Sequence, residues 1–175
     1  MLYLLLAFSI SVMCLGALFL LAQFISIFTS APFVPSAKTR VREMIALAGI
    51  KPGERVVDLG SGDGRIVIAA AKAGAEATGY ELNPVLVLWS RFISKIRGQS
   101  SRTHFITKSY RGQDLQQFDV IFMYLLPKEM RRIESWLQQA AKHGARIVVN
   151  AFPLPLWTID EKRGNLYRYI LRDGQ

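Results

Sequence analysis

The chain has 175 residues, 51% of them hydrophobic, and a formal net charge of +9. None of its 22 Lys and Arg or 13 Asp and Glu residues precedes Lys38, so an uncharged N-terminal segment is followed by a basic remainder about one domain long. One cysteine, Cys14, and two histidines, His104 and His143, are too few for a disulfide framework or a Cys- or His-based metal centre. We therefore expect no metal, and the length excludes a multidomain enzyme.

Residues 2–28 form an apolar run long enough to cross the ~30 Å hydrocarbon core of a membrane as a helix. A signal peptide is disfavoured because no basic residue precedes the run and a proline follows its small-residue cluster. We expect a transmembrane anchor over residues 1–30. Lys38, Arg40 and Arg42 follow the run, and positive charge is retained on the cytoplasmic side of a membrane. The remainder of the chain should face the cytoplasm.

Residues 31–54 are predicted to form a proline-rich connector and an amphipathic helix. Pro32 and Pro35 stiffen the connector because each proline fixes its own φ and disfavours helix in the residue before it. Apolar residues then recur at helical spacing over residues 38–48, and Gly49 follows as a C-cap.

Over residues 55–175, short apolar runs alternate with helical patterns. The predicted strands are 55–59, 76–81, 103–107, 120–124, 145–150 and 166–171, and the predicted helices between them are 65–73, 84–96 and 128–142. Alternation of this kind predicts an α/β fold with a mostly parallel, doubly wound sheet.

The most informative stretch is the glycine-rich turn after the first predicted strand. Asp58 ends the strand, and Gly60, Gly62 and Gly64 lead into the next helix. The spacing departs from the dinucleotide pattern GxGxxG because the sixth position is Arg65. An acidic residue at this point favours a ligand with positive charge and disfavours a pyrophosphate.

These residues resemble the first motif of class I S-adenosylmethionine (SAM) dependent methyltransferases, (D/E)xGxGxG. Glu81 ends the second predicted strand, where that family places an acidic residue on the ribose hydroxyls of SAM. The resemblance implies a Rossmann-like domain that binds SAM through Asp58, Leu59, Gly60, Ser61, Gly62, Gly64, Glu81, Leu82 and Asn83. Taken alone, Asp58 and Glu81 could also serve only as helix caps.

A narrower resemblance extends over most of residues 32–160. It is carried by Phe33–Ser36, Lys51–Gly53, Asp58–Ile68, Tyr80–Pro84 and Phe152–Trp157. These segments resemble family with sequence similarity 173, the membrane-anchored lysine methyltransferases of the ATP synthase c subunit and the adenine nucleotide translocase, with their prokaryotic relatives. The resemblance implies methylation of a lysine in a membrane protein at the inner membrane, which would be the cytoplasmic membrane of a prokaryote or the mitochondrial inner membrane of a eukaryote.

The acceptor would meet the domain beyond the fourth and fifth strands. The residues expected to contact it are Phe33, Pro35, Tyr124, Leu125, Pro127, Asn150, Phe152 and Trp157, with Tyr124 as the catalytic candidate. Tyr124 and Trp157 are equally compatible with ordinary core packing. The Asn/Asp-Pro-Pro-Tyr motif of enzymes that methylate base or glutamine amines is absent. At the position where relatives often carry an acidic residue near the adenine, the chain has Lys108.

From Leu82 to Gln113 the chain has six basic residues and no acidic one. Such a stretch is typical of a surface that meets anionic lipid, or of a solvated helix face. Nucleic acid is a weaker expectation because no basic motif interleaved with aromatic residues is present. Two other functions stay open: methylation of a small lipophilic acceptor, and a non-catalytic scaffold within a membrane complex.

Overall fold

The computed structural model describes residues 1–29 and 36–172. The chain divides into two compact units, Met1–Val34 and Pro35–Gln175. Phe33 and Pro35, which we expect at the acceptor site, lie outside the described residues together with the rest of residues 30–35.

The first unit contains helix α1 (Leu2–Thr29). Its segment Tyr3–Leu21 has a mean hydropathy of 2.6, and none of it is buried. Two of its polar side chains are satisfied within the helix, because Ser9 donates to the Leu5 carbonyl (2.5 Å) and Ser11 to the Ala7 carbonyl (2.9 Å). By length and composition, α1 is a candidate membrane span.

The second unit is built on a single sheet. Its strands are β1 (Arg55–Leu59), β2 (Glu76–Glu81), β3 (Thr103–Thr107), β4 (Val120–Met123), β5 (Arg146–Asn150), β6 (Glu161–Arg163) and β7 (Leu166–Ile170). In the described part of the chain, these seven strands have the order β3-β2-β1-β4-β5-β7-β6. The first five are parallel, whereas β7 is antiparallel to β5 and β6 is antiparallel to β7. The strand order reverses between β1 and β4, the kind of point at which open α/β sheets bind ligands.

Helices cover both faces of this sheet. They are α2 (Lys38–Ala48), α3 (Arg65–Lys72), α4 (Pro84–Ile96) and α5 (Pro127–Ala140). Successive strand side chains point to opposite faces, so Val57 and Leu59 join the buried cluster that contains α5, while Val56 joins the cluster that contains α2, α3 and α4. The helix α5 therefore lies on the face opposite to the other three.

The predicted α/β sheet is confirmed, with small shifts at element ends. The predicted helix 65–73 ends at Lys72, and the predicted strand 120–124 ends at Met123. The predicted helix 128–142 is observed as Pro127–Ala140. It begins one residue earlier because proline is well suited to the first turn, and it ends before Ala141, whose backbone is extended. The strands predicted at 145–150 and 166–171 are each one residue shorter, as Arg146–Asn150 and Leu166–Ile170.

Strand β6 was not predicted. Its three residues, Glu161–Arg163, are all charged, and no apolar alternation marks them as a strand. The signal that could have found it is the Gly164-Asn165 pair, a typical two-residue connection in a β-hairpin, which leads into β7.

Arg146 ties the start of β5 to the segment before β1. Its guanidinium donates to the carbonyls of Ala48 and Gly49, at 2.7 Å each, and pairs with the Glu54 carboxylate at 2.5 Å. The two carbonyls close α2, whose last orphan acceptors need donors. One side chain thus links the C-terminus of α2, the turn before β1 and the central sheet.

We expect Arg146→Met to lower the free energy of unfolding by about 2 kcal/mol, because two helix-end carbonyls and a carboxylate lose charge-assisted donors. Arg163→Met is the matched control, since Arg163 pairs with Glu161 on an exposed strand and such pairs contribute about 0.5 kcal/mol. Urea denaturation of the detergent-solubilised chain measures both. Equal losses in the two variants would contradict the role given to Arg146.

Candidate active site

The glycine-rich turn lies at the carboxyl end of β1, beside the end of β2. Gly60, Gly62 and Gly64 have φ values of 88°, 53° and 75°, a region that side chains disfavour. The amides of Gly60 and Ser61 both donate to the Tyr80 carbonyl at 2.9 Å, which folds the turn against β2. The turn therefore needs its glycines for backbone conformation.

Neighbouring atoms also pack closely against Gly64 of the turn and against Gly79 beside it. A Cβ on Gly64 would lie 2.6 Å from Phe105 Cε1 and 2.8 Å from Ser90 Cβ. A Cβ on Gly79, in β2, would lie 2.5 Å from Ser61 Oγ. The Ser61 hydroxyl thus faces Gly79, where it is buried without a hydrogen-bond partner among the described residues, and the close packing fixes the turn over the strand ends.

Asp58 is the central titratable group of this edge. It lies in β1 between Gly79 of β2 and Phe122 of β4 and is only 3% exposed. No donor to its carboxyl is found among the described residues. Burial, and then the negative charges of Glu81 and Asp63, raise the pKa of Asp58 from 3.8 to about 8. A cationic group placed here would relieve both effects.

Glu81, at the end of β2, holds the turn in place. One carboxylate oxygen accepts from the Gly62 amide (3.0 Å) and the other from the Asn83 amide (2.8 Å). Because a carboxylate offers about four acceptor positions, Glu81 retains capacity for two further donors such as ribose hydroxyls. Asp58 and Glu81 therefore share one edge but have different surroundings.

Asn83 begins α4. Its side-chain oxygen accepts from the amides of Val85 (2.9 Å) and Leu86 (3.4 Å), which makes it the N-cap. Its Nδ2 is buried and has no partner in the described structure. The preceding Leu82 is 43% exposed. Asn83 therefore has a structural role at this edge, and the two N–H donors of its Nδ2 are free of partners among the described residues.

A polar network that sequence reasoning missed joins the turn to the start of the domain. Arg65 pairs with Asp63 through its Nε (2.8 Å) and also donates to the Ser36 carbonyl. The Ser36 hydroxyl lies 3.4 Å from Asn150 Nδ2, a long contact at the end of β5. No local pattern signals this network, because Asn150 and Ser36 are 114 positions apart.

The predicted acceptor residues have different surroundings. Tyr124 is half-buried just beyond β4, and Leu125 is buried with its Cδ2 3.8 Å from the Cβ position of Gly60. Pro127 is exposed at the first turn of α5. The structure thus brings Leu125 to the glycine-rich turn and leaves Pro127 at the surface.

The segment after β5 turns sharply. Ala151 has φ 73°, a conformation that disfavours a Cβ, and its amide donates to the Asn165 carbonyl at 2.8 Å. Phe152 follows at 36% exposure, whereas Trp157 is 5% exposed with its ring edge-on to Tyr169. Trp157 therefore packs in the core, although its Nε1 has no partner in the described structure.

Glu134 of α5 fixes the same segment. It is 4% exposed, and its carboxylate accepts from the Leu156 amide at 2.8 Å. The Tyr169 hydroxyl accepts from the Leu154 amide at 3.0 Å. These contacts hold residues 154–157 against the sheet, and a buried glutamate in a helix gave no sequence signal for this role.

A family model described as the ANTKMT methyltransferase domain matches residues 58–161. The chain is 38% identical over 133 residues to the lysine N-methyltransferase of the ATP synthase c subunit from Rattus norvegicus, covering 76% of this chain and 61% of the relative. It is 29% identical over 150 residues to a protein-lysine N-methyltransferase of Saccharolobus islandicus, covering 80% and 93%. The chain thus spans less than two thirds of the length of the rat relative.

Among solved structures, an RNA methyltransferase from Salinibacter ruber in complex with S-adenosyl-L-homocysteine superposes with a TM-score of 0.77 at 31% identity. The match covers 81% of this chain and 96% of that one. The Rossmann-like fold of class I methyltransferases and the family resemblance noted in the sequence are both confirmed.

Because the pKa of Asp58 is raised, the free energy of unfolding should decrease as the pH rises. In the unliganded folded state its pKa is about 8, against an ordinary value of 3.8, so the folded state keeps a proton that the unfolded state has released. The stability from this proton is lost as the pH rises through about 8. Asp58→Asn, which cannot ionise, should melt above the wild type by a margin that grows between about pH 5 and about pH 8.

Thermal unfolding followed by circular dichroism measures that margin. Asp114→Asn, which removes an exposed carboxyl, is the control for the loss of one acidic side chain. If the difference in melting temperature between Asp58→Asn and the wild type does not grow with pH, the raised pKa of Asp58 is contradicted.

Proposed function

The chain belongs to the ANTKMT methyltransferase family, and we propose that it is a membrane-anchored, SAM-dependent protein-lysine N-methyltransferase that acts on a membrane protein. The observation that carries the proposal is the unpaired carboxyl of Asp58 beneath the glycine-rich turn. A buried carboxyl without a donor is costly, and a cationic ligand would offset that cost.

The residues of this edge fit SAM. Its sulfonium carries the positive charge that Asp58 and the nearby Glu81 and Asp63 would attract. The free acceptor positions of Glu81 suit ribose hydroxyls. Gly60 and Gly62 would leave the backbone open to close approach by a ligand, whereas the space beside Gly64 is taken by Phe105 and Ser90. Leu59, Ser61, Leu82 and Asn83 complete the proposed cofactor-binding set.

Bound SAM supplies a methyl group attached to a cationic sulfur. The task of the protein is then to hold the acceptor nitrogen at near-attack distance and in line, which contributes several kcal/mol. A lysine must also lose its proton before it can react, and a low-dielectric surface beside a cation favours the neutral amine. Tyr124, half-buried at the end of β4, is the proposed contact for that amine.

The proposed acceptor wall continues from Leu125 and Pro127 to the segment after β5. Asn150, Phe152 and Trp157 belong to that segment, which the Glu134 and Tyr169 hydrogen bonds hold in place. A fixed wall suits an enzyme whose rate depends on positioning. Trp157 would support this wall from the core, since it is buried.

Membrane anchoring is proposed from α1. Its apolar segment is long enough to span the hydrocarbon core, and the first charges after it are basic. The positive-inside tendency then favours a single pass through the inner membrane with the domain in the cytoplasm. Tethering would raise the effective concentration of membrane-bound acceptors.

Calorimetric binding of SAM, which carries the sulfonium charge, to the solubilised chain tests the cofactor site. We expect micromolar binding that Asp58→Ala weakens at least about tenfold, since a contact to a charged group is lost. Gly62→Arg should abolish binding because its side chain would fill the turn. Gly112→Arg is the matched control: Gly112 also has a positive φ, but it is exposed, and its Cβ position is open.

Transfer of labelled methyl groups to isolated membranes identifies the acceptor. The proposal expects label in protein, recovered as methyl-lysine after hydrolysis and lost in Asp58→Ala. Label in the organic extract would replace the lysine acceptor by a small lipophilic one, and label in RNA would replace it by RNA. A folded chain that binds no SAM would overturn the enzyme and leave the scaffold function.

A further inference from the structure

Helix α4 buries one side against the sheet and exposes large apolar side chains on the other. Its buried side consists of Leu86, Val87, Ser90 and Ser94. The other side carries four large apolar side chains that are 64%, 51%, 56% and 65% exposed, namely Leu88, Trp89, Phe92 and Ile96. At about 100° per residue, these four fall within an arc of about 100° on the side away from the sheet. We call them the outer face of α4.

An outer face of this composition is unusual for a helix on a water-exposed surface. Such helices place charged or polar residues opposite the core. Here Trp89 and Phe92 contact each other, with ring centroids 6.0 Å apart, and the outer face remains exposed in the described structure. A contiguous apolar patch indicates an interaction surface.

The charges around this face are all basic. Lys95 and Arg97 are exposed at the end of α4 and have no acidic partner in the described part of the chain. Arg91 donates to the Phe105 carbonyl at 2.7 Å. The sequence contains no acidic residue from Leu82 to Gln113. The outer face is therefore complementary to a surface that is apolar inside and negative at its boundary.

We propose that the outer face of α4 docks onto an anionic lipid bilayer. Leu88, Phe92 and Ile96 would enter the boundary between head groups and acyl chains, with Trp89 at head-group level, as in interfacial helices. Lys95 and Arg97 would meet lipid phosphates while their aliphatic stems cover apolar surface. The proposal rests on the membrane attachment in the proposed function but not on methyl transfer.

A bilayer fits this surface better than a protein partner does. Helices that lie in the membrane interface combine Trp, Phe and Leu on one side with Lys and Arg beside them, and a candidate span in the same chain would keep the domain near a bilayer. The N-terminus of α4 also lies at the edge that holds Glu81 and Asn83. Docking of α4 would therefore bring the candidate active site to the membrane surface.

Spin labels on the full chain in vesicles test the docking. In a Cys14→Ser background, a nitroxide at Leu88→Cys reports on the outer face. A second, at Gln138→Cys, reports on the exposed side of α5, on the opposite face of the sheet. In phosphatidylserine-containing vesicles, we expect the label at 88 to be shielded from a water-soluble nickel relaxant and reached by oxygen. The label at 138 should stay open to nickel.

The charge requirement is tested with a matched pair of double variants. Each basic residue near an anionic bilayer contributes about fivefold to binding, so Lys95→Glu/Arg97→Glu should reduce the equilibrium constant for docking about 25-fold or more. Lys128→Glu/Arg131→Glu reverses the same two charge types on α5, where both side chains are exposed, and should leave the label at 88 docked. About 1 M salt, with a Debye length of about 3 Å, should also weaken docking.

Vesicle flotation separates this proposal from membrane attachment. A chain that floats with vesicles while the label at 88 is as open to nickel as the label at 138 overturns the docking and leaves attachment through α1. A chain that does not float overturns both. Dipolar broadening between labels at 88 that persists without anionic lipid would show that a second copy covers the face, and this also overturns the proposal.

Discussion

The burial of one carboxyl, for which the described residues offer no donor, constrains the rest of this site. Asp58 lies in the central strand β1, flanked by β2 and β4, so water cannot surround its carboxyl. A fold that serves stability alone would place an apolar residue at such a position, since ionising a buried carboxyl is costly and burial accordingly raises its pKa to about 8. The position is instead consistent with a site whose electrostatics are completed by a cationic ligand, and this links the sheet topology to the proposed chemistry.

The two acidic side chains at neighbouring strand ends, Asp58 and Glu81, have different roles. Glu81 accepts from the amides of Gly62 and Asn83 and so ties the turn to β2 and to the start of α4. Asp58 has no such donors among the described residues. Close packing holds the turn in this arrangement, because a side chain at Gly64 or Gly79 would collide with neighbouring atoms. Glu81 therefore fixes the geometry of the edge, and Asp58 supplies a buried carboxyl that a cationic ligand would return to its charged form.

The sequence predicted the features that depend on local patterns. Alternating apolar runs gave the parallel strands to within a residue, and the spacing of Gly60, Gly62 and Gly64 located the turn. Features that depend on tertiary contacts gave no such signal. The Arg65–Ser36 contact joins residues 29 positions apart, and the left-handed backbone at Ala151 occurs where the residue type does not favour it. The sequence could not show that Trp157 lies in the core, because its burial depends on packing against Tyr169, which only the fold brings next to it.

Helix α4 shows why periodicity alone does not determine what a helix contacts. Its sequence is apolar around most of its circumference, which by itself is typical of a fully buried helix. In the fold, only the side with Leu86, Val87, Ser90 and Ser94 reaches the sheet, so the outer apolar residues need another explanation. A membrane surface would account both for the basic residues beside that face and for the candidate span elsewhere in the same chain. Because α4 begins where Glu81 ends β2, the same surface would also determine which acceptors can reach Asp58 and its turn.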